Sequence, residues 1–382
     1  MAFVTAFYFG ILLLTVSNPT SASSSKECDF PAIFNFGDSI SDTGGLSAMY
    51  TPVPWPYGIS YFRMPAGRYS DGRLPIDLMA NSLGLPFLHA YIDSIRANFS
   101  HGANFATSAS TIRAQNTTFF QEGWSPFSLD VQIWQYNQFK SRSQLAYNQE
   151  GVFEKLLPKE EYFSRALYTF DIGSNDLTAA NYINMSRVNV SYALTDMLNQ
   201  YTAAIKDVYE NGGRSFWIHN IGPLGCHAYI LDAIPLPDDQ LDQAGCAIPW
   251  NNVMMDFNRI LKAIVVQLRK DLPLASFTYV DMYTVKYTLF SQYKKLGFEH
   301  NIRACCGRGG KYNYSRLSRC GTTTVVNGTE SIVGPCKDPS AYVLWDGIHH
   351  TQAANEWVFK QIVDGKYSDP PIPLRMACHK QA

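Results

Sequence analysis

The chain has 382 residues, of which 46% are hydrophobic and 16% are charged, and its formal net charge at pH 7 is -1. These values exclude an intrinsically disordered chain, and they give no basic footprint of the kind that nucleic-acid-binding proteins usually carry. We therefore expect a globular protein with a large core and no nucleic acid as a partner.

The first 25 residues predict a signal peptide. An apolar run extends from Ala2 to Val16, and small residues offer cleavage points from Ala22 to Ser25, as a secretory signal requires. A positively charged residue near Met1 is missing, which is the one departure from the usual signal. The run is shorter than the roughly 20 apolar residues that a transmembrane helix needs, and no later segment is long and apolar enough to span a bilayer. We expect a secreted mature chain, residues 26–382, that folds as a single domain.

Short apolar runs alternate with helical patterns along the mature chain. The runs 32–37, 103–108, 166–173, 215–222 and 276–283 each predict a buried strand. Apolar residues spaced three and four apart predict helices over 194–208 and 253–268. This alternation indicates an α/β fold with a parallel sheet covered on both faces. The alternation of strands and helices is least regular between residues 286 and 345. We interpret this segment as a disulfide-braced excursion from the same domain.

Cysteines and glycosylation sequons also indicate export. All eight cysteines follow the signal, and an even number predicts disulfides in an exported chain, whereas the absence of a Cys-x-x-Cys pair argues against a metal site. Candidate local pairs are Cys226 with Cys246, and Cys305 or Cys306 with Cys320 or Cys336. Six Asn-x-Ser/Thr sequons predict N-linked glycans, at Asn98, Asn116, Asn184, Asn189, Asn313 and Asn327.

Polar and small residues lie close to the ends of the predicted strands, and α/β sheets gather function beyond the carboxyl ends of their strands. Ser39 follows the first strand in "FGDSISDTGG", and Asn175 follows another in "FDIGSND". "HGANFA" places Gly102 at the entry to a further strand, and "WDGIHHT" sets Asp346 and His349 three residues apart. These residues are the candidates for a site.

Acyl transfer requires a nucleophile, a base, a group that orients the base, and donors for the oxyanion. Ser39 is the candidate nucleophile, His349 the base that accepts its proton, and Asp346 the group that holds the imidazole. The backbone N–H groups of Ser39 and Gly102 and the side-chain amide of Asn175 are the candidate oxyanion hole. No metal ligand is predicted.

The four blocks "FGDSISDTGG", "GANFA", "IGSND" and "WDGIHHT" resemble those of the GDSL, or SGNH, family of esterases and lipases. Further segments, among them "FWIHNIGPLGC", "CCGRGGKYN" and "SDPPIPLRMACHK", are similar to the plant early-nodulin-like branch, which includes a latex allergen esterase. The match spans essentially the mature chain. This resemblance implies a flavodoxin-like three-layer fold and serine ester hydrolysis without a cofactor, in the apoplast, cell wall or vacuole.

The sequence departs from the family pattern in three places. Ile40 stands where leucine is usual, "NFATSAS" replaces a more glycine-rich run, and His350 and Gln352 vary the last block. None of these changes touches a proposed catalytic atom. The Asp-x-x-His spacing of the family selects His349 as the base, which leaves His350 as an expected surface or pocket-rim residue.

Several functions remain open at this point. The ester could be carried by a small molecule, a lipid or a polysaccharide, with an acyl, acetyl or phenolic acid. An acyltransferase would use the same residues with an alcohol as acceptor. A glycosidase would need two carboxylates about 5–9.5 Å apart, and no such pair is identifiable, while a non-catalytic carbohydrate-binding glycoprotein would not need an intact catalytic set.

Overall fold

The structure is a computed structural model of the chain. The structure describes residues 1, 27–95, 97–114, 125–147, 149, 151–179, 186–233, 236–326 and 328–379. The predicted signal peptide beyond Met1 and the sequons at Asn116, Asn184 and Asn327 lie outside these residues. None of the helices in these ranges is long and apolar enough to cross a membrane.

The strands are short, and most of the chain between them is helix or loop. Their bounds are β1 Ile33–Gly37, β2 Gly102–Asn104, β3 Leu167–Asp171, β4 Ser215–His219, β5 Ser276–Val280, β6 His300–Ala304, β7 Thr323–Val326, β8 Thr329–Ile332, β9 Tyr342–Leu344 and β10 Ser368–Asp369. Six of them form one sheet in the order β10-β5-β4-β3-β1-β2. The first five strands pair in parallel, as predicted, and β10 adds an antiparallel edge.

The helices cover this sheet. Their bounds are α1 Gly45–Met49, α2 Pro75–Ser82, α3 Leu129–Tyr147, α4 Glu160–Arg165, α5 Ser174–Ala179, α6 Arg187–Glu210, α7 Ala228–Ala233, α8 Ile248–Asp271, α9 Met282–Gln292 and α10 Gln352–Ile362. α6 packs between α3 and α8, while α10 packs between α2 and α9. Every residue of β1, β3 and β4 is buried, which is typical of a parallel sheet covered on both faces.

The two predicted helices begin earlier than the apolar pattern shows. α6 starts at Arg187, where the Ser186 hydroxyl caps the helix by accepting the N–H of Asn189. α8 starts at Ile248, and the proline that follows it occupies the first turn, where no intrahelical donor is lost. Both N-terminal turns are set by capping and local geometry rather than by burial, so hydrophobic spacing misses them.

All eight cysteines are paired, which confirms the predicted disulfides. Cys226 bonds to Cys246, whereas Cys305–Cys336 and Cys306–Cys320 resolve the alternatives in the excursion. The fourth bond, Cys28–Cys378, joins residues 350 positions apart. In the excursion β6 pairs with β9 and β7 with β8, and its disulfides pack against the loop that carries Tyr57. The excursion therefore supports one wall of the site described next.

Candidate active site

The turn after β1 places Ser39 at the carboxyl edge of the sheet, and backbone contacts of its neighbours fix this position. The Asp38 N–H donates to the carbonyl of Asp171 at the end of β3 over 3.3 Å, and the Asp38 carboxylate accepts the N–H of Ile40 over 3.0 Å. A Cβ on Gly37 would lie 2.8 Å from the same Asp171 carbonyl, so only glycine lets the two strand ends approach this closely. Burial, followed by the charge of Asp171, raises the pKa of Asp38 well above its usual value.

The rest of the motif braces the turn. Asp42 Oδ1 accepts the N–H groups of Gly44 and Gly45 over 2.8 and 2.5 Å. Its Oδ2 accepts the N–H of Ser108, in the loop after β2, over 2.8 Å. The polar and glycine residues that follow Ser39 in the sequence therefore tie the nucleophile turn to the neighbouring loop.

Ser39, His349 and Asp346 form a continuous hydrogen-bonded chain. Ser39 Oγ lies 2.8 Å from His349 Nε2, and His349 Nδ1 lies 2.7 Å from Asp346 Oδ2. The carboxylate fixes the tautomer that carries hydrogen on Nδ1, which leaves Nε2 free to accept the serine proton. The structure thus brings together the three residues predicted as nucleophile, base and orienting acid, from chain segments more than 300 residues apart in sequence.

Asp346 is held as an anion by four donors. Its Oδ1 accepts the N–H groups of Ile348 and His349 over 2.9 and 2.8 Å. Its Oδ2 accepts the Tyr57 O–H over 2.8 Å as well as the imidazole. Burial raises the pKa of Asp346, but His349 and the backbone N–H groups outweigh it, so the pKa lies below its usual value. Tyr57 was not predicted, because 289 residues separate it from Asp346 and no motif links them.

Gly102 does not contribute to this site, and its predicted role as an oxyanion donor is wrong. It begins β2 opposite Ile33, the first residue of β1, so it lies at the amino edge of the sheet while Ser39 lies beyond the carboxyl edge. Its N–H donates to the Phe99 carbonyl over 3.0 Å. A Cβ at this position would lie 1.8 Å from the Ile33 carbonyl oxygen, and its φ is +103°. Glycine is required here for strand packing.

The loop after β2 offers a replacement donor at the correct edge. Ala109 has a φ of +64°, a conformation that costs an L-residue roughly 1–2 kcal/mol and that concentrates at functional sites. Its N–H has no hydrogen-bond partner among the described residues. Asn175 Nδ2 donates to the carbonyl of Ser110, the residue after Ala109, over 2.8 Å. This contact places the Asn175 amide close to Ala109, and the amide keeps a second N–H for the oxyanion.

His350 is buried, contrary to the expected surface or rim position. Only 6% of its surface is exposed, and its Nε2 has no hydrogen-bond partner among the described residues. Its ring lies 5.8 Å from that of the equally buried His227. Burial, then the charge of Lys286, lowers the pKa of both rings, that of His227 to about 3. Neither imidazole is oriented by a carboxylate, so both are neutral core residues.

A second buried Asp–His pair lies beneath the nucleophile turn. His219 Nδ1 donates to Asp171 Oδ2 over 2.9 Å, and its Nε2 accepts the Trp217 indole N–H over 3.0 Å. Because Nε2 is already occupied, this histidine cannot accept a proton from a substrate. Among the residues with described positions, no group of three or more His, Cys, Asp or Glu side chains could hold a metal ion.

Comparisons with known proteins agree with this geometry. The family model for GDSL-like lipases and acylhydrolases matches residues 33–362. A GDSL esterase/lipase of Arabidopsis thaliana is 55% identical, with 93% of each chain covered, and an esterase of Hevea brasiliensis is 52% identical over 94% of this chain and 92% of its own. A protein of Arabidopsis thaliana named alpha-L-fucosidase 3 is 48% identical, with 98% of each chain covered.

Proposed function

Because the chain belongs to the GDSL-like lipase and acylhydrolase family and is a hydrolase of ester bonds, we propose that it acts through an acyl-enzyme on Ser39. The observation that carries this proposal is the chain of contacts from Ser39 Oγ to His349 Nε2 and from His349 Nδ1 to Asp346 Oδ2, at 2.8 and 2.7 Å. A serine hydroxyl is a weak nucleophile until a base within hydrogen-bond reach accepts its proton.

In the first half of the reaction the proton of Ser39 Oγ moves to His349 Nε2 while Oγ attacks the acyl carbonyl. The carbonyl oxygen becomes an oxyanion, for which the backbone N–H groups of Ser39 and Ala109 and the free N–H of the Asn175 amide are the proposed donors. Collapse of this intermediate expels the alcohol, which takes the proton from Nε2. Asp346 stays ionised and stabilises the imidazolium between these two proton transfers.

In the second half water replaces the alcohol. His349 removes a proton from the water, the hydroxide attacks the Ser39 acyl ester, and the acid leaves as Oγ recovers its proton. The same site would transfer the acyl group to an alcohol if one bound in place of the water, so the ratio of hydrolysis to transfer is a property of the acceptor present.

The carboxylates near Ser39 argue against a glycosidase mechanism, although one relative carries a fucosidase name. Asp346 is engaged by His349 and Tyr57, and Asp171 by His219. Asp176 accepts two backbone N–H groups, over 2.8 and 3.1 Å. A glycosidase needs one carboxyl to protonate the leaving oxygen and a second that is free to attack or to activate water. Asp38 has one carboxyl oxygen, Oδ2, without a hydrogen-bond partner among the described residues, but this side chain is fully buried and does not face a substrate. The described carboxyls at this edge therefore do not supply the pair that a glycosidase needs.

The experiment that tests the proposal compares two serines of the same turn. Ser39→Ala should abolish hydrolysis of 4-nitrophenyl acetate and covalent labelling by an organophosphonate, with an unchanged melting temperature. Ser41→Ala is the matched control, because its Oγ accepts the Asn35 amide over 3.0 Å and does not contact His349; this variant should still be labelled. Labelling of Ser39→Ala at the wild-type rate would contradict the acyl-enzyme.

We also propose that the chain is exported and glycosylated. Four disulfides without a free cysteine among the described residues support an oxidising compartment. Asn98 and Asn189 are exposed. Sequencing the N-terminus of protein secreted from a plant host tests the cleavage between residues 22 and 25; an uncleaved N-terminus would contradict it.

A further inference from the structure

A cavity of about 330 Å³ lies between α3 and α6 and takes no part in the chemistry proposed above. This volume falls at the lower end of the range for small-molecule sites, about 300–1,000 Å³. Its walls combine the indole of Trp134, the apolar side chains of Ile112 and Ile133, and the polar side chains of Asp130, Asn137 and Asp207. The cavity therefore has one aromatic wall and several polar groups.

Trp134 is unusual among the large side chains of α3. It is 64% exposed, whereas Ile133, Tyr136 and Phe139 of the same helix are buried. An indole left in water beside a cavity is a ready surface for stacking against a flat, weakly polar ligand face. Pyranose rings present such a face through their C–H groups.

The polar groups of the cavity are mainly hydrogen-bond acceptors. Asp207 Oδ1 accepts the Asn137 amide over 2.8 Å, and Asp130 Oδ1 accepts the Ser128 hydroxyl over 2.5 Å. Asn137 Oδ1 is buried and has no donor among the described residues. Buried acceptors are normally paired, so the ligand should bring several donors, as the hydroxyl groups of a sugar do. No lysine or arginine is among the described lining residues, so an anionic ligand is disfavoured.

The cavity adjoins the catalytic edge of the sheet from two sides. The N–H of Ile112, one of its walls, donates to Asp176 over 2.8 Å, and Asp176 is the neighbour of Asn175. On α3 the Gln132 side chain bonds both the N–H and the carbonyl of Gly37, over 2.9 and 2.8 Å. A ligand that fills the cavity therefore contacts the loop that contains Ile112 and the helix, α3, that holds the end of β1 through Gln132.

From these observations we propose that the cavity between α3 and α6 binds one sugar unit of a carbohydrate. The scissile ester is carried by a neighbouring sugar unit of the same carbohydrate. This inference rests on the proposed ester hydrolysis and names its substrate class. The Trp134 indole stacks on the sugar ring, while Asp130, Asn137 and Asp207 accept its hydroxyl hydrogens. Specificity for a carbohydrate ester then comes from a surface outside the catalytic residues.

The test compares acetylated xylo-oligosaccharides with 4-nitrophenyl acetate. Trp134→Ala should lower the ratio of kcat/KM on the oligosaccharides to kcat/KM on 4-nitrophenyl acetate about tenfold, mainly through KM. Trp134→Phe should keep most of the wild-type ratio, because the phenyl ring still offers a face for stacking. The matched control is Phe153→Ala, an aromatic side chain that is 54% exposed and does not line the cavity; it should leave the ratio unchanged.

A second measurement does not depend on activity. The Ser39→Ala variant should bind unacetylated xylo-oligosaccharides in a calorimetric titration, and the Ser39→Ala, Trp134→Ala double variant should not. Equal binding of the oligosaccharides by both variants would overturn the carbohydrate assignment. Binding of tetramethylammonium by Ser39→Ala without any binding of sugar would also overturn it, because the cavity would then select cations. Failure of the acyl-enzyme itself would instead appear as unchanged hydrolysis of 4-nitrophenyl acetate by Ser39→Ala, so the two proposals fail separately.

Discussion

Tyr57→Phe removes one oxygen from the candidate active site and leaves its packing in place. The Tyr57 ring makes edge-on contacts with Trp345 and Tyr69, at centroid distances of 6.0 and 5.9 Å, and phenylalanine keeps both. The loss is confined to the O–H that donates to Asp346 Oδ2 over 2.8 Å, the oxygen that also accepts from His349 Nδ1. The substitution therefore isolates one hydrogen bond.

The magnitude follows from what Asp346 retains. A hydrogen bond to a charged group contributes about 1.5–3 kcal/mol, but the carboxylate keeps the two backbone donors of Ile348 and His349 and the imidazole N–H. We expect the free energy of unfolding to fall by about 1 kcal/mol. The freed carboxylate also orients the imidazolium less firmly in the transition state, and a loss of about 1.4 kcal/mol there lowers kcat about tenfold with KM unchanged.

The control for Tyr57→Phe is a buried tyrosine away from the site. Tyr136 is fully buried and its O–H pairs with that of Tyr168 over 2.9 Å. Tyr136→Phe should lower the free energy of unfolding by a similar amount and leave kcat unchanged. If Tyr57→Phe shows only this stability loss, Tyr57 is a packing residue and the reasoning about Asp346 is wrong.

Asn175→Ala should lower kcat about 100- to 1,000-fold with little change in KM, as loss of one oxyanion donor does; near-normal kcat with a lowered melting temperature would return Asn175 to a purely structural role. Burial lowers the pKa of His227 to about 3, whereas in the unfolded chain this histidine binds its proton below about pH 6.5. As the pH falls from about 6.5 to about 3, His227 therefore lowers the free energy of unfolding by about 1.4 kcal/mol per pH unit. His227→Phe should reduce this slope in urea titrations, and an identical slope would refute the neutral assignment. Glycopeptide mass spectrometry should find glycans at Asn98 and Asn189 but not at Asn313, whose half-buried Nδ2 donates to the Ala304 carbonyl over 2.9 Å; full occupancy of Asn313 would contradict this.

The parallel sheet was predictable because its strands are buried on both faces and so appear as continuous apolar runs. β10 was not predictable, since Ser368 and Asp369 carry no apolar signal and become a strand only by pairing with β5. The second predicted run also extended beyond β2, which ends at Asn104. The next residues stay buried, and the N–H groups of Phe105 and Thr107 still donate to the carbonyls of Asn35 and Gly37 on β1. Burial therefore continues past the end of the strand, and an apolar run cannot show where the strand stops.

At the site, contacts between residues close in sequence could be predicted, whereas contacts between distant residues could not. Asp346 and His349 could be predicted together because three residues separate them, whereas Tyr57 reaches the same carboxylate from 289 residues away. The error at Gly102 had a warning in the sequence, since a glycine at the entry to a parallel strand lies at the edge opposite the active site. Gly102 has a positive φ, and a Cβ there would clash with the Ile33 carbonyl. These two backbone constraints explain the glycine without any role in catalysis.

The two buried Asp–His pairs show why an Asp–His contact alone does not define a catalytic base. His219 and His349 both donate from Nδ1 to an aspartate, over 2.9 and 2.7 Å. The difference lies at Nε2, which accepts the Trp217 indole N–H in the first pair and faces Ser39 Oγ in the second. An indole N–H is only a donor, so His219 cannot relay a proton. Its pair instead fixes Asp171, whose carbonyl holds the Asp38 N–H, and the inert pair thereby positions the nucleophile that the reactive pair activates.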